Sequence, residues 1–276
     1  MGSAESSIVA DYGDAGLGER ILFKLQAFGV DTDHLTPEVL AEFDHIHGGG
    51  YLNTTEHAEL VKLDPEMAVL DIGCGIGGPA RYFAKAFGCR VTGIDLTEEY
   101  VNVAAMLTER CGLGDRVDFK CANAIDMPFD DASFDVVWCL NVTMNIEDRG
   151  GFYAEVRRVL EPGGHFALSE LGQGPEGDPY YPLPWARDPS YSFLVAPDDL
   201  RTGLEAIGFR IVHWIDEAQR QKEAGGNVPH GVTILPTGEA MKIVRGADYP
   251  ERQANSRKSV VENRLTNVRL VAELTN

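Results

Sequence analysis

The run Asp71-Ile72-Gly73-Cys74-Gly75-Ile76-Gly77 carries the strongest chemical signal in this chain. It lies between a short apolar stretch and a helical one. Glycines there let the backbone turn tightly against a ligand, which the N-terminus of the following helix then faces. Gly73, Gly75 and Gly78 also satisfy G-x-G-x-x-G, a dinucleotide fingerprint that is weak by itself. Two acids separate the readings. Asp71, just ahead of the glycines, would oppose a pyrophosphate and suits a ligand ammonium. Asp95, at the end of the next apolar run, can take both hydroxyls of a ribose. The later block Asn123-Ala124-Ile125-Asp126-Met127-Pro128-Phe129 has no role in a dinucleotide site.

Other residues have types suited to a second ligand. His45-Ile46-His47-Gly48-Gly49-Gly50-Tyr51 reads as too glycine-rich for a helix. Within it His47 is the candidate base for an acidic acceptor, while His45 reads as structural or exposed. Tyr12, beside Gly13, is a candidate lid residue. Tyr12, Tyr51, Tyr180, Tyr181 and Trp185 offer aromatic faces to a cation, though each has loop or helix packing as its plain alternative. Arg187 is the candidate partner for a carboxylated ligand. Asn141 and Asn145 follow an apolar run at the end where open α/β sheets bind ligands. His230, in Val228-Pro229-His230-Gly231, is a candidate to close over the site.

The surrounding pattern must hold these groups. Helices are expected at Gly16–Phe28, Thr36–Phe43 and Thr54–Leu63. Strands at 67–72, 90–95, 116–121, 134–140 and 165–170 then alternate with helices, the one at 97–110 capped by Thr97. Such alternation means parallel pairing through right-handed crossovers, a doubly wound α/β sheet. Residues 171–197 form a long aromatic loop of the functional kind. A helix at 198–207 and a strand at 209–215 follow, then cap and loop over 216–249. Pro250–Glu262 reads as a helix with Asn263 left-handed beyond it. Val268–Leu274 reads as a closing edge strand, with a continuous helix as the rival.

Composition excludes several classes. The 276 residues are 44% hydrophobic, enough for a sizeable core. The 43 acidic against 24 basic residues give a net charge of −19, with no basic stripe to bind nucleic acid or an anionic membrane. No apolar run suits a bilayer span, and residues 1–14 lack the marks of a secretory signal, so a soluble cytoplasmic protein is expected. The five cysteines include no C-x-x-C pair, and no H-E-x-x-H occurs, so neither disulfides nor a metal is expected.

In order and spacing, several of these blocks resemble class I S-adenosylmethionine-dependent methyltransferases. They are Val69 to Gly77, Gly93-Ile94-Asp95, Met127-Pro128-Phe129 with the strand after it, and Arg158-Val159-Leu160-Glu161-Pro162-Gly163-Gly164. The resemblance implies a Rossmann-like sheet of seven strands, six parallel and one antiparallel. It also implies a helical N-terminal extension over 1–65, a methyltransferase domain over 66–276 and cap insertions at about 171–197 and 216–250. S-adenosylmethionine would be the cofactor, held by Asp71, Gly73, Cys74, Gly75, Asp95, Leu96, Asn123, Ala124 and Asn141. Asn123 stands where members commonly carry Asp, and its carbonyl would accept from the adenine amino group. Asp44 to Gly50 looks like the D-Q-F-H-x-G-G segment of sarcosine/dimethylglycine N-methyltransferase-like proteins, with His45 for Gln and Ile46 for Phe; quinone C-methyltransferases are similar but less so. The expected function is methyl transfer to a small molecule, an amine nitrogen ahead of a phenolic oxygen or quinone-like carbon. His47 and Tyr12 would serve as base or positioning groups, and Asn145, Tyr181, Trp185, Arg187 and His230 would bind substrate. A non-catalytic protein that binds the cofactor is the alternative of another class, and a nicotinamide enzyme is disfavoured by Asp71. A small-molecule methyl acceptor is the expected partner, with no nucleic acid or membrane, and a homodimer is left open.

Overall fold

The structure is a computed structural model that describes residues 3–13, 15–223 and 238–275. Four helices come first: α1 (Ser3–Tyr12), α2 (Leu17–Ala27), α3 (Pro37–Asp44) and α4 (Gly50–Val61). The alternation then runs β1 (Ala68–Ile72), α5 (Gly78–Phe87), β2 (Arg90–Asp95), α6 (Glu98–Arg110), β3 (Val117–Cys121) and β4 (Phe134–Leu140). It continues through α7 (Arg149–Val159), β5 (Leu160–Gln173), α8 (Pro197–Ala206) and β6 (Phe209–Asp216). Last come α9 (Glu217–Glu223), α10 (Glu239–Arg245), α11 (Tyr249–Val261) and β7 (Leu265–Leu274). No helix of the described residues is long and apolar enough to cross a membrane.

The strands lie in the order β3-β2-β1-β4-β5-β7-β6, with β7 antiparallel to both neighbours and the rest parallel. This is the expected doubly wound sheet of six parallel strands and one antiparallel. Its order reverses between β1 and β4, and the crevice beyond the carboxyl ends of those strands is where ligands bind in such sheets. Register puts Asp71 beside Gly93 on one side and Trp138 on the other, so the ends of three strands meet there.

Both faces of the sheet are covered, which is why its strands are near-continuous apolar runs. Leu70, Ile72, Val137, Phe166 and Leu270 pack toward α7 and α8, and Val69, Val91, Trp138 and Ala167 toward α4 and α5. Local capping fits the sequence at two helix starts. Thr36 accepts from the Val39 N–H ahead of Pro37, and Asp148 accepts from the Gly151 N–H.

Several boundaries differ from the sequence-based expectation. Residues 3–12 are a helix, whose 4, 8, 12 spacing aligns Ala4, Ile8 and Tyr12 on one face. Gly49 takes φ +83° as the residue that opens α4, so that helix begins at Gly50 rather than Thr54. Thr97 precedes α6 without a side-chain cap bond; its N–H and its hydroxyl are both turned to Asp95. β5 starts at Leu160 and runs through Pro162 and Gly163, with a register shift against β4 between Phe134 and Val136. Asn263 does sit left-handed at φ +56°, as expected beyond α11. β7 is a strand, but it is inserted between β5 and β6, so β6 forms the edge.

Candidate active site

A cavity of about 1100 Å³ opens over the carboxyl ends of β1, β2 and β4. Ligand pockets commonly hold about 300–1,000 Å³, so a nucleoside-sized cofactor and a second molecule fit here together. One wall is the turn after β1. Gly73 has φ +66°, and a Cβ there would stand 2.2 Å from Val142 Cγ2. Only glycine permits that conformation and that approach. Cys74 lies against the turn as a small buried thiol whose pKa burial raises far above the ordinary value, so it adds space rather than reactivity.

Two carboxylates face the cavity from adjacent strands. Asp71 is 2% exposed, and its Oδ2 has no hydrogen-bond partner among the described residues. Burial, reinforced by Asp95, raises its carboxyl well above the usual range. A buried acceptor without a donor is costly, and a ligand ammonium would satisfy it. Asp95 is held on both oxygens: Oδ2 takes the Gly75 N–H at 3.0 Å and Oδ1 takes the Thr97 N–H at 2.9 Å. Each oxygen keeps a further lone pair for a hydroxyl donor. Burial raises its pKa while those hydrogen bonds oppose the rise.

Leu96, Asn123, Ala124 and Asn141 also line the cavity. Asn123 is less free than expected: its carbonyl already accepts from Ile125 N–H at 3.2 Å and its amide donates to Glu5 Oε1 at 2.9 Å, clamping α1. Asn141 has φ +54°, unusual outside glycine, with its N–H bonded to Ser169 O at 2.8 Å. Its buried Oδ1 lacks a partner among the described residues. Strain of that kind costs on the order of 1–3 kcal/mol and clusters at functional positions.

The residues expected to meet a substrate divide. Trp185 lines the cavity with its ring buried and its Nε1–H donated to Ser192 Oγ at 3.0 Å. Asn145 also lines it, yet its amide donates to the Trp185 and Tyr191 carbonyls and its oxygen accepts from Tyr12 OH. It pins the aromatic loop. Tyr181 is absent from the lining and packs with Leu183, Trp185 and Tyr191 under the loop. Arg187 is a correction too: its side chain is 51% exposed and bridges Asp11 and Asp248 outside the cavity. His230 lies outside the described residues.

Arg245 of α10 is a site residue that the sequence pattern does not reveal. It lines the cavity while buried, donates to Tyr100 OH at 3.2 Å and Pro184 O at 2.6 Å, and stacks 3.6 Å from the Tyr12 ring centroid. Tyr12 shares this wall, but burial pushes its phenol up to about 12, so it is no base near neutral pH. Its role is packing and positioning. Ala4 and Ile8 extend the wall, and their 4, 8, 12 spacing with Tyr12 is the sequence signal for α1.

His47 reaches the wall from the turn before α4. Its Nε2 lies 2.9 Å from Thr54 Oγ1 and its Nδ1 3.3 Å from the Gly48 carbonyl. Burial pulls its pKa down to about 3, and that of His45 likewise. His45 is buried rather than exposed, its Nδ1 2.9 Å from the same Thr54 hydroxyl. Below it the Asp44 carboxylate pairs with the buried Arg81 at 2.9 Å.

A glycine turn, a buried Asp71 whose Oδ2 has no partner among the described residues and a doubly held Asp95 thus share one cavity at the switch point of the sheet, and residues 70–168 match the family model described as a methyltransferase domain. Residues 70–168 carry a methyltransferase domain. S-adenosylmethionine is the cofactor of that domain, and the residues present fit it: Asp71 Oδ2 for the methionine ammonium, Asp95 for the ribose, the Gly73 turn for close approach. The sterol 24-C-methyltransferase ERG6B of Gibberella zeae is 42% identical over 113 residues, 41% of this chain and 30% of that protein. The matched stretch thus spans under a third of that curated relative. Among solved structures, the [4+2]-cyclase SpnF is 26% identical with a TM-score of 0.60, over 81% of both chains. Phosphoethanolamine N-methyltransferase 2 of Haemonchus contortus, 20% identical, aligns over 87% of this chain and 58% of its own with a TM-score of 0.66, a likeness of fold. These relatives do not single out the sarcosine/dimethylglycine subgroup that the segment before the domain suggested.

Proposed function

We propose that this chain is an enzyme that transfers a methyl group from S-adenosylmethionine to a small molecule, with an amine nitrogen as the acceptor atom. The observation that carries the reading is Asp71, a buried carboxylate at the glycine turn whose Oδ2 has no partner among the described residues. When bound, S-adenosylmethionine supplies an electrophilic sulfonium methyl. The chain's own work is then alignment and exclusion of water, with little acid–base machinery. The walls support a cationic pair of ligands. Glu5, Asp71, Asp95, Glu147 and Asp148 line the cavity against Arg245 and Arg257, the charge of Asp44 being met by the buried Arg81. A cleft with that excess of acids draws in cations. An amine also needs no strong base, and the imidazole at His47, its pKa near 3, can pass a proton on without retaining it.

A carbon acceptor is the second reading. Ile8, Met144, Leu171, Phe193 and Val260 give the outer cavity an apolar wall suited to a hydrocarbon body, and the sterol methyltransferase relatives support it. The test has two stages. Calorimetry should find micromolar binding of S-adenosylmethionine and S-adenosylhomocysteine that Asp95→Ala abolishes. Mass spectrometry on panels of amines, phenols and isoprenoid alkenes then reads the gain of one methyl. Methylated alkenes with untouched amines would overturn the nitrogen assignment. Tight cofactor binding with no methylated product would make the chain a binder, or an enzyme of other chemistry, as SpnF's description as a [4+2]-cyclase allows for a similar chain.

A further inference from the structure

Asp44, His45, Thr54 and His47 stand in file from a buried carboxylate to the cavity wall. The Thr54 hydroxyl, fully buried, lies 2.9 Å from His45 Nδ1 and 2.9 Å from His47 Nε2. At one end His45 Nε2 is 3.7 Å from Asp44 Oδ1, and neither buried atom has a hydrogen bond to another described residue. At the other end His47 and Gly48 line the cavity, with His47 Nδ1 3.3 Å from the Gly48 carbonyl.

A hydroxyl has a single proton to give, so a file that runs continuously through Thr54 can be ordered in two directions. In the first, His45 Nε2–H donates to the Asp44 carboxylate, Thr54 O–H to His45 Nδ1, and His47 Nε2–H to Thr54 Oγ1. His47 Nδ1 is then a bare lone pair beside the Gly48 carbonyl, on a residue that lines the cavity. In the second, His47 Nδ1–H donates to the Gly48 carbonyl, Thr54 O–H to His47 Nε2, and His45 Nδ1–H to Thr54 Oγ1. Asp44 then carries a proton and donates it to His45 Nε2. In both, the two partnerless atoms satisfy each other once their contact closes to ordinary hydrogen-bond length. The orderings differ by one proton, at the cavity end or at Asp44.

We propose that Asp44, His45, Thr54 and His47 form a proton relay that carries the proton displaced from the methyl acceptor away from it to the buried Asp44. The inference rests on the methyltransferase reading, since an acceptor that exchanges hydrogen for methyl must shed a proton. The acceptor–carbon bond forms as the sulfur–carbon bond breaks, and that electron pair goes to sulfur. The acceptor's proton passes to His47 Nδ1, leaving its bonding pair behind. His47 hands its Nε2 proton to Thr54, the hydroxyl proton moves to His45 Nδ1, and the His45 Nε2 proton ends on Asp44 Oδ1. One positive charge on sulfur and one negative charge on Asp44 cancel.

The surroundings favour this direction. Burial keeps both imidazoles neutral, so neither ring retains the proton, and it raises the Asp44 carboxyl against the pull of Arg81. The other groups that face the file are Arg81 on α5, 2.9 Å from Asp44 Oδ2, with Tyr51 edge-on to His45 and His57 on α4. His47 is the member that meets the acceptor; the other three act through it.

Nitrogen NMR of histidine-labelled protein saturated with S-adenosylhomocysteine reads the tautomers directly. His45 and His47 should share one tautomer, both Nε2–H or both Nδ1–H, and Thr54→Val should uncouple them. Mixed tautomers in the wild type, or an imidazolium at either ring near neutral pH, overturn the relay. In turnover, Thr54→Val should lower kcat at least tenfold with cofactor Kd and acceptor KM unchanged, and Thr54→Ser should restore most of it. Undiminished kcat in Thr54→Val overturns the relay alone. A wild type that binds cofactor yet methylates nothing in the acceptor panels overturns the methyl-transfer reading and the relay with it.

Discussion

Asp71→Asn tests the cofactor assignment most directly, because the same buried oxygen makes opposite demands on the free and the bound protein. Burial beside Asp95 raises the Asp71 carboxyl, so the free protein holds a proton there at a pH where an ordinary carboxyl has lost it. A cofactor ammonium favours the ionised form, and binding must expel that proton. Calorimetry in buffers of different ionisation enthalpy should therefore find up to one proton released per cofactor below the raised pKa, and Asp71→Asn should release none. A hydrogen bond to a charged group contributes about 1.5–3 kcal/mol, so the variant should bind about 10- to 100-fold more weakly. Its stability should move the other way. A carboxyl whose folded pKa is raised destabilises the fold only as pH climbs from its unfolded value near 3.8, and the amide removes that penalty. The unliganded variant should thus melt higher than wild type at neutral pH, with the gain gone below pH 3.8. An unchanged Kd, or proton release that survives the substitution, would refute the ammonium assignment.

Three further outcomes follow from the same geometry. Gly73→Ala forces a left-handed alanine whose Cβ stands 2.2 Å from Val142, so urea unfolding should show a loss of roughly 2–5 kcal/mol, partly recovered by Val142→Ala. Arg187→Ala should cost under about 1 kcal/mol and leave acceptor KM unchanged, whereas Arg245→Met, which removes a buried guanidinium bound to Tyr100 and Pro184, should cost about 1–3 kcal/mol in thermal melts. Burial pulls His57 down from 6.5 to about 3, so the unfolded chain takes up a proton there first as pH falls. That site should drain about 1.4 kcal/mol per pH unit between 6.5 and 3, and His57→Gln should remove its share of the slope while that of His45 and His47 remains.

What is legible in the sequence is what the chain settles locally. A strand, its glycine turn and the following helix are contiguous, so spacing alone puts Asp71 and Asp95 at strand ends, and the cavity contains both. The place of β7 is not legible, because insertion between β5 and β6 depends on partners from far along the chain. Arg187 misleads for a related reason: closeness in sequence to the aromatic loop says nothing about Asp11 and Asp248, which turn it outward. Arg245, the buried cation that lines the cavity beside Arg257, belongs to α10, a helix inside the stretch expected as cap and loop. The segment before the domain shows the limit most sharply. His45 and His47 are two residues apart, and their sequence separates them only into a structural and a functional residue, because what joins them is one hydroxyl on α4. Their shared partner makes the pair a unit, so a substitution at Thr54 should change the chemistry at His47 while touching neither ring.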